Sequence, residues 1–123
     1  MDTFSVFTEI GRMAYAVAKS NGEVKEKEVE NIFYFIDEEM EELRNYDVMV
    51  VGEEFTKLRR MNASARDAFS MFSSFIEHNG HLLHQSIKRM CIRLALRIAH
   101  ADESADETEM AMIDKLRKKL QLS

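Results

Sequence analysis

The 123-residue chain contains no proline, no tryptophan, four glycines and one cysteine. Without proline and with little glycine, it lacks the punctuation of a turn-rich sandwich or barrel, and long uninterrupted helices are expected instead. A lone cysteine, Cys91, cannot form an internal disulfide, so the fold must hold by packing. It lies in the apolar run Met90, Cys91, Ile92 and Leu94, which reads as a buried structural thiol. No apolar stretch reaches the ~18 residues needed to cross a bilayer. The start, Met1-Asp2-Thr3, lacks the basic residues of a secretory signal. A cytoplasmic protein without membrane insertion is expected. The formal charge of −5 argues against nucleic acid as a partner, because phosphate binding needs a cationic face. At 46% apolar, the chain has enough hydrophobic content to fold as one domain spanning 1–123.

Apolar residues recur at helical spacing through most of the chain. Residues 3–20 form a first helix with Phe7, Gly11, Ala14 and Ala18 on one stripe, ended by Asn21-Gly22. Residues 25–43 form a second, apolar through Val29, Ile32, Phe33 and Ile36 and otherwise densely acidic. Residues 44–52 read as a connector or helix end; Val48-Met49-Val50-Val51 has strand character but no second strand to pair with. Helices are expected over 53–61 and 63–78, with Asn62 as an N-cap. Asn79-Gly80 stops the latter. The longest helix spans 82–101, and a final one spans 107–121 after an acidic loop. The expected fold is all-α, a compact bundle of about six helices with short connections.

The chain also resembles itself. Ala14 to Ile32 aligns without gaps on Ala95 to Ile113, pairing Ala14 with Ala95, Ala18 with Ala99, Glu26 with Glu107, Glu28 with Glu109 and Ile32 with Ile113. Each copy is an apolar helix, a short polar loop and a glutamate-bearing helix start, which makes two pseudo-repeated helical hairpins. Glu109 stands three residues after Asp106, the spacing of a capping box; Lys25 before Glu28 leaves the first copy only half of that device. The two glutamates therefore have a helix-terminal reading that needs no ligand.

These residues carry a family likeness. Ala14-x-x-x-Ala18-x-x-Asn21-Gly22-x-Val24-x-x-x-Glu28 resembles the TerB-like pattern of small residues, Asp-Gly, a hydrophobic residue and a glutamate in the next helix. Ile98-Ala99-His100-Ala101-Asp102 through Glu109 resembles its second copy. Asn21 stands where the pattern has aspartate, and Glu103 where the second copy has glycine. The resemblance implies a compact helical domain of bacterial tellurite-resistance and stress-response systems. It further implies an acidic surface for a divalent metal and no enzymatic activity.

The residues themselves offer one cluster for such a cation. Asp102, Glu103, Asp106, Glu107 and Glu109 place five carboxylates within eight residues, with no cation among them. Calcium and magnesium take clustered oxygens of this kind. Asp102, Asp106 and Glu109 are the first candidate metal ligands, followed by Glu103 and Glu28. An EF-hand is excluded: counted from Asp102, the sixth position is Glu107 instead of glycine and the twelfth is Ile113 instead of glutamate. His78, His81 and His84 recur at threes, but Asn79-Gly80 breaks the helix that would align them. Glu-x-x-His pairs, phosphate-binding glycine loops and zinc-type cysteine spacing do not occur. The alternative reading is a protein-interaction module whose acidic face from Glu28 to Glu42 docks a basic protein partner, without metal. An enzyme would need a pocket joining His100 to a carboxylate.

Overall fold

The computed structural model describes residues 3–39, 45–101 and 107–121. They form six α-helices and one 3-10 turn: α1 (Thr3–Lys19), α2 (Glu26–Glu39), α3 (Asn45–Arg60), α4 (Ala65–Asn79), the 3-10 turn Gly80–Leu82, α5 (Gln85–Ala99) and α6 (Glu107–Leu120). No strand occurs among the described residues. The expected all-α bundle is observed.

α1 is the central element. It packs on α3, α4 and α5 and touches α6, while α2 lies on α5 and α5 on α6. Its residues from Met13 to Ala18 are almost fully inaccessible. A helix surrounded in this way has no solvated face along that stretch, which explains why its apolar residues run all round instead of in one stripe. Gly11 permits the closest approach: a Cβ there would lie 2.7 Å from the Val51 carbonyl oxygen and 2.9 Å from Glu54 Cβ. At the other end, the Tyr15 hydroxyl donates to the Ala63 carbonyl at 2.6 Å, and its ring meets Phe55 edge-on at 5.6 Å. These contacts tie α1 to the α3–α4 turn.

Three expectations are corrected. The helix expected over 82–101 is shorter, running from Gln85 to Ala99 after the 3-10 turn, and α1, with 17 residues, is the longest among the described residues. Residues 44–52 are not a connector: from Asn45 they form the first half of α3, continuous with the stretch expected to begin at 53. Val50, Val51, Phe55 and Leu58 are all buried, so a run that resembled a strand locally is held helical by its register against the core. Asn62 is not an N-cap. It follows α3 in the left-handed region, at φ 51°, and the Ala63 N–H returns to the Leu58 carbonyl at 3.1 Å, which is a Schellman-type stop. Ser64 caps α4 instead, its hydroxyl accepting from the Asp67 N–H at 3.0 Å. Likewise, His84 caps α5 by accepting from the Ser86 N–H at 3.1 Å.

The internal repeat is reproduced in the burial pattern. Ala14 and Ala95, Val17 and Ile98, Ala18 and Ala99, and Ile32 and Ile113 are buried in both copies, whereas Glu26 and Glu107 are exposed in both. The hairpins interlock, with the second helix of the first copy, α2, lying on the first helix of the second, α5. Small residues on α1 and α5 let those helices approach closely.

Candidate functional site

The two repeat-equivalent glutamates, Glu28 and Glu109, are 2% and 3% exposed. Each stands in the first turn of its helix, α2 or α6. Their inward direction follows from the repeat, because each occupies the third helical position, four residues before a buried isoleucine (Ile32 or Ile113) on the same face. Glu28 Oε1 accepts from the Lys25 N–H at 2.8 Å, which is the half capping box expected from sequence. Its carboxyl group is also hydrogen-bonded to that of Glu109. Two carboxylates cannot donate to one another, so a hydrogen bond between them forms only when one is protonated. Desolvation by burial, followed by the Glu109 hydrogen bond, raises Glu28 from its ordinary 4.5 to about 8, against the lowering effect of the Lys25 amide. Glu109 Oε2 is buried without a hydrogen-bond partner.

Of the five sequence-predicted ligands, the fold thus brings Glu28 and Glu109 together. Asp102, Glu103 and Asp106 lie outside the described residues. Among the described residues, no group of three or more histidine, cysteine, aspartate or glutamate side chains is arranged to hold a metal ion. What is present is a buried two-carboxylate pair with one oxygen unused, the donor chemistry of a hard cation.

The remaining candidates fall elsewhere. His78 bonds the Ser74 carbonyl, His84 is a cap, and both are exposed, as is His81. His100 lines a depression with Asn31, Arg93, Leu96 and Arg97, and among the described residues no carboxylate lines it. Cys91 is buried, and desolvation pushes its thiol up to about 12, which makes it unreactive. The acidic face of α2 is partly consumed inside the molecule: Glu28 points inward, Glu26 pairs with Arg59 at 2.6 Å and Glu38 with Arg97 at 2.8 Å.

A second buried carboxylate cluster has no counterpart in the sequence reading. Glu9 and Glu54 are 6% and 7% exposed and both contact Arg12, whose Nε lies 3.2 Å from Glu54 Oε2. Burial raises the Glu9 carboxyl despite Arg12. Glu9 and Arg12 at i, i+3 gave a local signal, but Glu54 comes from α3, in a region whose helical register the sequence left open.

The fold is therefore an all-helical bundle of two interlocked hairpins with paired glutamates at their equivalent helix starts. The sequence model of the family described as tellurite resistance protein TerB matches residues 9–123, and the chain belongs to that family. No curated protein and no solved structure matches the chain.

Proposed function

We propose that this TerB domain is a non-enzymatic, cation-responsive scaffold of tellurite-resistance and stress systems, in which Glu28 and Glu109 hold a divalent cation together with carboxylates of residues 102–106. The observation that carries this reading is the buried pair itself. The repeat places one glutamate from each hairpin in contact, and Glu109 keeps an unpartnered buried oxygen. Calcium or magnesium fits such a donor set, and Asp102, Glu103 and Asp106 supply further oxygens in the same chain segment. When bound, the dication supplies positive charge in place of the shared proton. Glu28 and Glu109 would then join the α1–α2 and α5–α6 hairpins through ionic contacts. The acidic-face alternative has less support, because Glu28 faces inward and Glu26 and Glu38 already have partners.

Calorimetric titration of the metal-free domain with calcium, magnesium, manganese and zinc tests the proposal, beside Glu109→Gln and Asp102→Ala/Glu109→Ala variants. Saturable binding to the native chain, weakened at least about tenfold in Glu109→Gln, is expected. Absence of binding at millimolar metal would sink it and leave Glu28 and Glu109 as a proton-linked helix-terminal pair.

A further inference from the structure

α2 and α3 are sequential helices, yet α2 is seated on α5 and α3 on α1, and their own backbones make little close contact. Between them runs a groove of about 500 Å³. Phe33, Ile36 and Met49 form its apolar surface, with Gly52 at the narrow point, where a Cβ would lie 3.2 Å from the Phe33 ring. Phe33 and Met49 are 47% and 58% exposed, and the adjacent Tyr34 is 63% exposed. Three of the five large hydrophobic side chains exposed among the described residues thus lie on or beside this feature. That is a concentration of apolar surface, unlike the scatter of single residues expected on an ordinary face.

The charge at the groove's far end identifies what it takes. Lys57 and Arg60 line it one turn apart on α3. Lys57 has only a 3.8 Å contact with Glu54, and Arg60 has no ion-pair partner among the described residues. Glu53 also lines the groove, four residues before Lys57, leaving an excess of one positive charge among the described lining residues. Arg59 turns the other way, and its bridge to Glu26 joins α3 to α2 at that end. From Met49 to Arg60 the helical wall rises roughly 16 Å, the length of about three helical turns.

We propose that the α2–α3 groove docks an amphipathic helical segment of a partner protein, with an apolar stripe against Phe33, Ile36 and Met49 and a carboxylate side chain at Lys57 and Arg60. A partner helix satisfies both features at once, since anchors at i, i+3 and i+7 fill the apolar part and an acidic residue at one end meets the cations. A second copy of this chain is a poorer occupant. The other large exposed hydrophobics among the described residues, Met61 and Met71, form no helical stripe. This surface is independent of the glutamate pair, so it stands whether or not the domain binds a cation.

The test uses the whole domain and two synthetic helical peptides of about 15 residues. Both carry leucines at i, i+3 and i+7; one has glutamates flanking the stripe and the other lysines. Binding is followed by amide NMR shifts. The glutamate peptide should bind, shifting Phe33, Met49, Gly52 and Thr56, with the lysine peptide at least about tenfold weaker. Arg60→Glu should reverse that order, and Met49→Asp should abolish both interactions. Both substitutions fall on exposed positions, and helical circular dichroism checks that they fold. Several results would each overturn the proposal: no binding of either peptide at millimolar concentration, equal affinity for the two, or shifts confined to another face. So would concentration-dependent dimerisation that shifts the same amides without peptide, or saturation of the groove by dodecanoate when neither peptide binds.

Discussion

Among the described residues, two pairs of buried carboxylates sit in this small bundle, and their charge surroundings differ. Glu9 on α1 and Glu54 on α3 share the Arg12 guanidinium. Glu28 on α2 and Glu109 on α6 lie together instead, where desolvation and their mutual contact favour the protonated form of Glu28 against the opposing charge of Lys25. The difference sets a pair held by a fixed charge against one in which a carboxyl group favours its protonated form. A guanidinium tethered to α1 stays with its carboxylates at any ordinary pH, because arginine does not lose its charge. A proton is held only as tightly as the local field demands, and it leaves when the solution pH or another cation competes. The Arg12 cluster fastens α1 to α3. The glutamate pair places a carboxyl group, Glu28, that titrates well above its ordinary range where the two repeats meet.

The sharpest way to break the first pair is Arg12→Leu. It strands Glu9 without a cation, leaves Glu54 only the 3.8 Å contact with Lys57, and should destabilise the domain by about 3–5 kcal/mol in urea unfolding. Restoring most of that loss with Glu9→Gln in the same chain would show that stranded charge, and not lost packing, is the cause.

The second pair predicts a pH dependence of the metal-free domain. Glu28 binds its proton more tightly folded than unfolded, so stability falls as pH rises, beginning near 4.5 and levelling near 8, by on the order of a few kcal/mol. Glu9, also raised, contributes with the same sign. Glu28→Gln keeps the shape but removes the titrating group, and unfolding curves across this window should be flatter. An unchanged slope would mean that the pair does not share a proton.

Gly11→Ala sharpens the comparison from the packing side. Its methyl group would press on Val51 backbone and Glu54 Cβ, disturbing the Arg12 cluster, for a loss of about 1–3 kcal/mol. The glutamate pair, remote in the chain, should keep its pH response. The smallest effect belongs to the exposed Glu26–Arg59 bridge. A double-mutant cycle there should return less than about 1 kcal/mol, because solvent and salt screen it.

Much of the fold was legible because helical periodicity is a local signal. The starts and stops of α1 and α6, the start of α2, the half capping box at Lys25 and Glu28, and the buried Cys91 all follow from residues within a few positions of one another. The errors came where local signals compete. Val48–Val51 carries β-branched residues, and its helical state depends on α1 packing against it. Asn62 suits both an N-cap and a left-handed stop, and Ser64, two residues on, decided between them by capping α4. The exposed Met49 could not be told from a core methionine until the groove around it was visible.

For the candidate site, the sequence by itself determined that two glutamates would occupy equivalent positions in two equivalent hairpins. The ungapped repeat fixes their place in the first turn of each helix and their direction toward the buried isoleucine one turn on. Tertiary structure decided that they meet. Contact between residues 81 positions apart depends on how the hairpins interlock, α2 on α5 beside α6, and no local pattern encodes that crossing. The same packing excluded water from the pair and raised the Glu28 carboxyl, since desolvation acts only once the group is buried.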